Sequence, residues 1–188
     1  SSITAVDGGR TVDTSMGLTP LEGLIMGTRS GDIDPSIFEF LFDNKHMSIR
    51  QINSMLNKDS GLLGITELSN DCRTLEEHAE LGHDGAILAL NMFAYRLAKY
   101  IASMTVATGR LDALVFTGGI GENSASMRKR VMQHLGFLGV HVDEALNQAM
   151  VGGQAGSINP ASDVVTTLVI PTNEELMIAQ DTYALTTP

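Results

Sequence analysis

Residue types suited to phosphate chemistry sit together at Thr117-Gly118-Gly119-Ile120-Gly121-Glu122-Asn123. A β-rich run, Leu111 to Thr117, leads in, and a helical pattern from Ser124 to about Leu135 leads out. Glycines let the backbone turn sharply and approach a ligand closely. The helix behind them offers unpaired N–H groups and the positive end of its dipole to an anion. Strand, glycine-rich turn and helix, in that order, read as a turn that holds the phosphates of a nucleotide. It is not a P-loop, because no Gly-Lys-Ser/Thr follows. A dinucleotide fingerprint is nearly met: Gly119-x-Gly121 fits and Asp143 lies about 20 residues on, but position 124 is Ser and too little chain follows to complete a Rossmann sheet. A tight βα turn without a ligand is the other reading of the same residues.

The pattern recurs at Val169-Ile170-Pro171-Thr172-Asn173-Glu174-Glu175, again strand, turn and helix start. Carboxylates in a first helical turn either balance the dipole or hold Mg²⁺ beside phosphates. Arg29, in Gly27-Thr28-Arg29-Ser30-Gly31-Asp32, is a loop arginine with freedom to take phosphate in a bidentate way, or simply a surface residue. Arg73, after Asp71 and Cys72, has the same two readings. His46, His78, His83, His134 and His141 show no metal-ligand spacing, and no Ser/His/Asp arrangement is present.

The elements that must position these residues follow from punctuation and periodicity. Ser2 to Val6, Asp7-Gly8-Gly9 and Arg10 to Asp13 read as a β-hairpin. Residues 13–23 and 26–35 read as loops. Asp34-Pro35 opens a helix from Ser36 to about Asp43. Ser48 and Gln51 form a capping box for a helix ending near Lys58. Gly61 to Ile65 reads as an apolar connection, and Leu75 to Leu81 as a polar helix. Asp84 to Thr108 is the longest helix, with an apolar stripe through Ile87, Leu90, Ala94, Leu97, Ile101 and Met104. Leu88, Met92, Tyr95 and Val106 make its other side apolar too, so it is either central or shared with a partner subunit. Leu111–Thr117 and Val164–Ile170 are expected to be buried strands, with a further strand at Val140–Val142. Helices are expected over Glu144–Met150 and from Glu174 to about Tyr183, with loop from Val151 to Ser162. Strands alternating with helices behind a leading hairpin imply an α/β fold with a mixed sheet.

Composition narrows the partners. The formal net charge of −10 lacks the basic footprint of non-specific nucleic-acid or membrane-surface binding. Bound phosphate must therefore meet backbone N–H groups, a few placed arginines and a metal ion. The single cysteine, Cys72, leaves no intrachain disulfide; it reads as a space-filler and fits a reducing, cytoplasmic setting. The apolar stretch from Ala86 to Val106 carries Asn91, Arg96, Lys99 and Ser103, too polar for a membrane span.

Four segments together resemble acetate kinase: 13–23, Met26-Gly27-Thr28-Arg29-Ser30-Gly31, Phe116 to Asn123, and Ile170-Pro171-Thr172-Asn173-Glu174-Glu175. Their order and spacing match that family, with propionate kinase a close sister, and the resemblance covers essentially all 188 residues. It implies a ribonuclease-H-like domain of the acetate- and sugar-kinase, Hsp70 and actin superfamily, with a mixed sheet and helices on both faces. It implies transfer of the γ-phosphoryl of ATP to a short-chain carboxylate with Mg²⁺ (or Mn²⁺), in a cytoplasmic homodimer joined largely through this domain. By the same resemblance Arg29 stabilises the transferring phosphoryl group. Asp71, Cys72 and Arg73 form the adenosine-side segment, Cys72 through its backbone. Gly119, Ile120, Gly121, Glu122 and Asn123 hold nucleotide phosphates and ribose, and Glu174 serves Mg²⁺. The family carries a His-Leu-Gly-Asn-Gly strand and phosphate loop just ahead of the position of Ser1. The expectation is thus that these residues form the C-terminal nucleotide-binding domain without that strand and without the N-terminal domain. On that expectation the fragment alone turns nothing over, or acts only as a nucleotide-binding or dimerisation module.

Overall fold

The Asp7-Gly8-Gly9 turn closes an antiparallel hairpin in the computed structural model, which describes residues 1–187. Strand β1 (Thr4–Asp7) pairs with β2 (Arg10–Thr14), with a register shift between Ala5 and Val6. Helix α1 (Ile37–Lys45) begins one residue after the expected Ser36, which is its N-cap. Asp34 caps a turn instead, its Oδ1 accepting the Ser36 N–H at 2.9 Å. Helix α2 (Ile49–Lys58) has the expected Ser48/Gln51 capping box and buries Ile52 and Leu56.

Residues 61–66, expected as a connection, form helix α3 (Gly61–Thr66). Its first N–H groups find partners outside the helix: Leu62 donates to the Met26 carbonyl and Leu63 to that of Gly27, both at 2.9 Å. These bonds satisfy donors that a helix start leaves unpaired. Gly61 has φ +61°, and a Cβ there would stand 2.1 Å from the Met26 oxygen, so only glycine admits this approach.

Helix α4 (Cys72–Glu80) starts earlier than Leu75 because Asp71 caps it. Helix α5 (Asp84–Thr108) has its predicted bounds, with the His83 ring accepting the Ala86 N–H and Gly109 ending it in a left-handed conformation. Its core side includes Ala86, Leu90, Phe93, Ala94 and Ile101.

The remaining elements are β3 (Ala113–Phe116), α6 (Gly118–Asn123), α7 (Ala125–Met132), a 3₁₀ turn at Gly136–Leu138, α8 (Glu144–Ala149), β4 (Gly156–Ser157), β5 (Thr166–Val169) and α9 (Glu174–Thr186). The strand expected at 140–142 is absent. Val140 is buried in the core instead, and the flanking chain is fixed by Asp143 N–H to Ile158 O and by His141 N–H to Asp163.

The sheet runs β3-β5-β4 and is mixed: β5 pairs parallel with β3 and antiparallel with β4. Val165 and Val169 of the β5 segment join α5 and α7 in one core, with Leu114 and Phe116 packed against it. On the other face Ala113, Val115 and Thr166 are exposed among the described residues. Strand β3 is accordingly half open rather than buried. A cleft of about 950 Å³ separates its free edge from β1, lined by α5 residues such as Phe93, Leu97 and Ile101. No described helix is long and apolar enough to cross a membrane.

Candidate functional site

Strands β3 and β5 are parallel neighbours, and both glycine- or proline-marked turns leave their carboxyl ends. Ligands of open α/β sheets bind at that edge. After β3 the chain enters α6 through Gly118, at φ +72°, a conformation that favours glycine. The residues expected as an open turn thus wind into a short helix. The space above Gly119 is empty, so a ligand can come against its backbone. On the inner side, a Cβ on Gly121 would lie 3.3 Å from the Phe116 backbone.

Glu122 joins this turn to the second one. Its Oε1 accepts the Gly118 N–H at 2.7 Å, the Thr172 N–H at 2.9 Å and the Thr172 hydroxyl at 3.0 Å. These bonds, the Thr172 N–H foremost, hold its carboxyl below the usual carboxylate range. Asn123 is similarly engaged: its side-chain N–H donates to Gly119 O at 3.1 Å, and its Oδ1 accepts the Gly152 N–H at 3.2 Å. Asn173 caps α9 through the Leu176 N–H. Glu174 follows, exposed, lining the same cleft as Gly119, Ile120, Gly121 and Thr172.

Beneath the turn lies a residue the sequence reading did not single out. Arg128 of α7 is fully buried and hydrogen-bonds to the carbonyls of Gly121 and Glu122 at 2.8 and 2.9 Å. A signal was available, since residues 128, 131, 132 and 135 fall on one helical stripe whose other members are apolar. Next to it, Ser124 caps α7 and its hydroxyl donates to Glu76 of α4 at 2.5 Å.

Arg29 occupies a turn held by its neighbours. Met26 N–H donates to Arg29 O at 3.0 Å, Ser60 N–H to Thr28 O at 3.0 Å and Ser30 N–H to Leu56 O at 2.9 Å. Asp32 closes the loop, accepting the Gly23 N–H at 2.8 Å, the Tyr100 hydroxyl at 2.5 Å and Arg96 at 3.3 Å. Desolvation and this bond push the Tyr100 hydroxyl up to about 12. Arg29 lines a separate open cavity of about 610 Å³ with Arg50, Lys58 and Asn53.

Asp71, Cys72 and Arg73 line neither cavity. Asp71 accepts the Arg73 backbone N–H at 2.9 Å and grips its guanidinium at 3.1 and 2.6 Å. Those bonds hold the Asp71 carboxyl down at about 2. Cys72 is buried in the core and its thiol is pushed up to about 12, chiefly by desolvation. Its side chain fills space, as expected, and any ligand contact falls to its backbone. The structure therefore unites Gly119–Asn123 with Glu174 and leaves Arg29 and the Asp71–Arg73 segment apart from them. Among the described residues no group of three or more His, Cys, Asp or Glu side chains could hold a metal. Glu174 alone fits the mode in which Mg²⁺ keeps most of its waters and takes one carboxylate plus substrate phosphates.

A mixed sheet with helices packed against it, and turns at the carboxyl ends of two adjacent parallel strands, makes this an α/β domain. Residues 1–180 match the model of the acetokinase family. The chain is 65% identical to acetate kinase 1 of Neisseria meningitidis over 98% of its own length and 46% of that relative's. It is 63% identical to an acetate kinase of Chromobacterium violaceum, with the same shares covered. Among solved structures it superposes on Porphyromonas gingivalis acetate kinase with a TM-score of 0.91 at 42% identity, over 97% of this chain and 46% of that one. A propionate kinase from Francisella tularensis gives 0.90 at 50% identity, over 96% and 45%. The chain belongs to the acetokinase family, and it spans about half the length of the relatives it matches.

Proposed function

We propose that this chain is the C-terminal, nucleotide-binding half of a carboxylate kinase. In its complete form the enzyme transfers the γ-phosphoryl of ATP to acetate, giving acetyl phosphate and ADP. The observation that carries this reading is the Glu122–Thr172 bridge. It holds the Gly119–Gly121 turn and the Glu174 loop on one cleft at the carboxyl ends of β3 and β5.

Phosphoryl transfer is mostly positioning and charge neutralisation. A carboxylate oxygen attacks the γ-phosphorus in line, and the bond to the bridging oxygen breaks with its electron pair leaving on ADP. The N–H groups of Gly119 to Gly121, beyond the Gly118 N–H that Glu122 takes, orient the nucleotide phosphates, and Asp71 to Arg73 border the adenosine. Arg29, from its own cavity, meets the transferring group and offsets its charge. Glu174 would hold Mg²⁺ (or Mn²⁺), which neutralises phosphate charge when bound. The free edges of β1 and β3 flank an apolar-floored cleft that suits a further strand. We assign that place to the segment preceding Ser1, which by the family resemblance also carries a phosphate loop. The exposed Leu88, Met92, Tyr95 and Val106 on α5 suit a homodimer, and the setting we propose is cytoplasmic.

The acyl pocket falls in the other half of the enzyme, and a propionate kinase stands among the similar structures, so both acids belong in the test. Full-length protein with ATP, Mg²⁺ and either acid is expected to yield an acyl phosphate that hydroxylamine traps. The 188-residue chain alone is expected to yield none and to behave as a dimerising, weakly nucleotide-binding unit. No hydroxamate from the full-length protein with either acid overturns the assignment.

A further inference from the structure

Arg128 is a fully buried arginine without a carboxylate partner: none of the ion pairs among the described residues includes it. A guanidinium has five N–H donors, and each of the five bonds found here has its own acceptor. Nε donates to Asn147 Oδ1 at 2.8 Å. Nη1 donates to the carbonyls of Gly121 and Glu122 at 2.8 and 2.9 Å. Nη2 donates to those of Asn147 and Met150 at 2.7 and 2.8 Å. Asn147 is itself fully buried and donates to Ala125 O at 2.8 Å. One rigid fork thus grips the last turn of α6 and the end of α8.

Burying a charge without a counter-charge is costly, and an apolar residue of similar volume often serves stability as well or better. What such a residue cannot do is fix four backbone carbonyls at once. Two of the four close the glycine turn whose opposite end faces the cleft. A cation is also favourably placed at the C-terminal end of a helix, where the carbonyls carry partial negative charge.

We propose that Arg128 is a positioning residue for the nucleotide: it holds the Gly118–Asn123 turn from beneath so that the N–H groups of Gly119 to Gly121, which a helix start leaves without intrahelical partners, point at the phosphates. This rests on the nucleotide reading of that turn. Glu122 clamps the turn from the Thr172 side, and Arg128 from the α8 side. Lysine offers donors from a single point and cannot reproduce the fork.

The test uses the full-length protein with Arg128→Met and Arg128→Lys. Thermal midpoint, KM for ATP and for acetate, and ATP affinity by titration without acetate are measured for each. Both variants are expected to weaken ATP binding and raise its KM by about tenfold or more, as small misplacements of a binding group do, with acetate KM held within about twofold. Lysine keeps the charge but not the fork, so ATP affinity is expected to stay weakened in both variants whether or not the midpoint moves. Unchanged ATP affinity in a folded variant overturns the proposal. So does a parallel rise of both KM values that tracks the lost midpoint. Should the methionine variant not fold, the lysine variant decides by the same criteria; if neither folds, Arg128 is a determinant of the fold and the proposal falls. Wild-type protein that binds ATP but makes no acyl phosphate overturns the kinase reading instead, and the titrations still judge Arg128.

Discussion

One oxygen of Glu122 takes two hydrogen bonds from Thr172, the backbone N–H at 2.9 Å and the hydroxyl at 3.0 Å. The same oxygen takes the Gly118 N–H at 2.7 Å. Two turns about 50 residues apart in sequence, each following one of two paired strands, are thereby fixed together at one edge of the sheet.

Glu122→Ala is expected to cost about 1–2 kcal/mol, below the full value of charge-assisted bonds because solvent screens the site. That is a fall of roughly 2–8 °C in thermal midpoint for a domain of this size. Gln keeps the acceptor and is expected to recover most of it. The folded carboxyl is held below its ordinary value, so its contribution is present above about pH 4.3 and is lost as pH falls through the folded value. Urea midpoints between pH 7 and pH 2 check both points; a wild-type advantage that persists unchanged at pH 2 would contradict the linkage.

Much of this edge was legible in the sequence, because its signals are local. The hairpin turn, the helix over 84–108 with its stripe, and the parallel strands ahead of both turns all formed. What escaped depended on distant partners. Helix α3 reads as a connection because it begins at glycine and carries a second one, Gly64, yet its free N–H groups are satisfied by Met26 and Gly27. The α6 turn winds into a helix although glycine is a poor helix former, with the Gly118 N–H taken by the Glu122 carboxylate. Val140 and Val142 alternate like strand residues, but β5 takes its antiparallel partner from Gly156–Ser157 instead. Arg128 shares a helical stripe with Val131, Met132 and Leu135, but its acceptors in α6 and α8 have no local signal.

Asp71 gives α4 a pH dependence of its own. Its folded pKa is about 2 against an ordinary 3.8, so the stability it contributes is complete above about pH 4 and is lost as pH falls toward 2. Asp71→Asn keeps a capping oxygen but abolishes that dependence. The difference between wild type and variant in chemical-denaturation midpoint should shrink steadily from pH 5 to pH 2, and a constant difference would argue against the Arg73 contact as its source.

Tyr100 acts at the other end of the scale. With its hydroxyl bound to Asp32 and its pKa near 12 rather than 10.0, its contribution is full below pH 10 and is lost as pH rises toward 12. Tyr100→Phe removes that loss and loosens the loop that carries Arg29. Ultraviolet titration of the tyrosines, wild type against variant, should reveal one high-pH transition missing in the variant; identical titration curves would remove Tyr100 from this role.

Arg29 stands on a turn braced by α2, α3 and Asp32. In the full-length enzyme Arg29→Ala should lower kcat by about 10³-fold or more, as loss of a phosphoryl-stabilising arginine does, while ATP affinity changes little. Steady-state kinetics with separate ATP titration checks this, and an unchanged kcat would take Arg29 out of the transfer step.

The most direct measurement is acyl-phosphate formation trapped as hydroxamate, run side by side on the full-length protein and on the 188-residue chain with ATP, Mg²⁺ and acetate or propionate. Product from the full-length protein and none from the shorter chain is the expected pair of results. Turnover by the shorter chain alone, or no product from the full-length protein with either acid, would contradict the assignment of this domain as the nucleotide half of a carboxylate kinase.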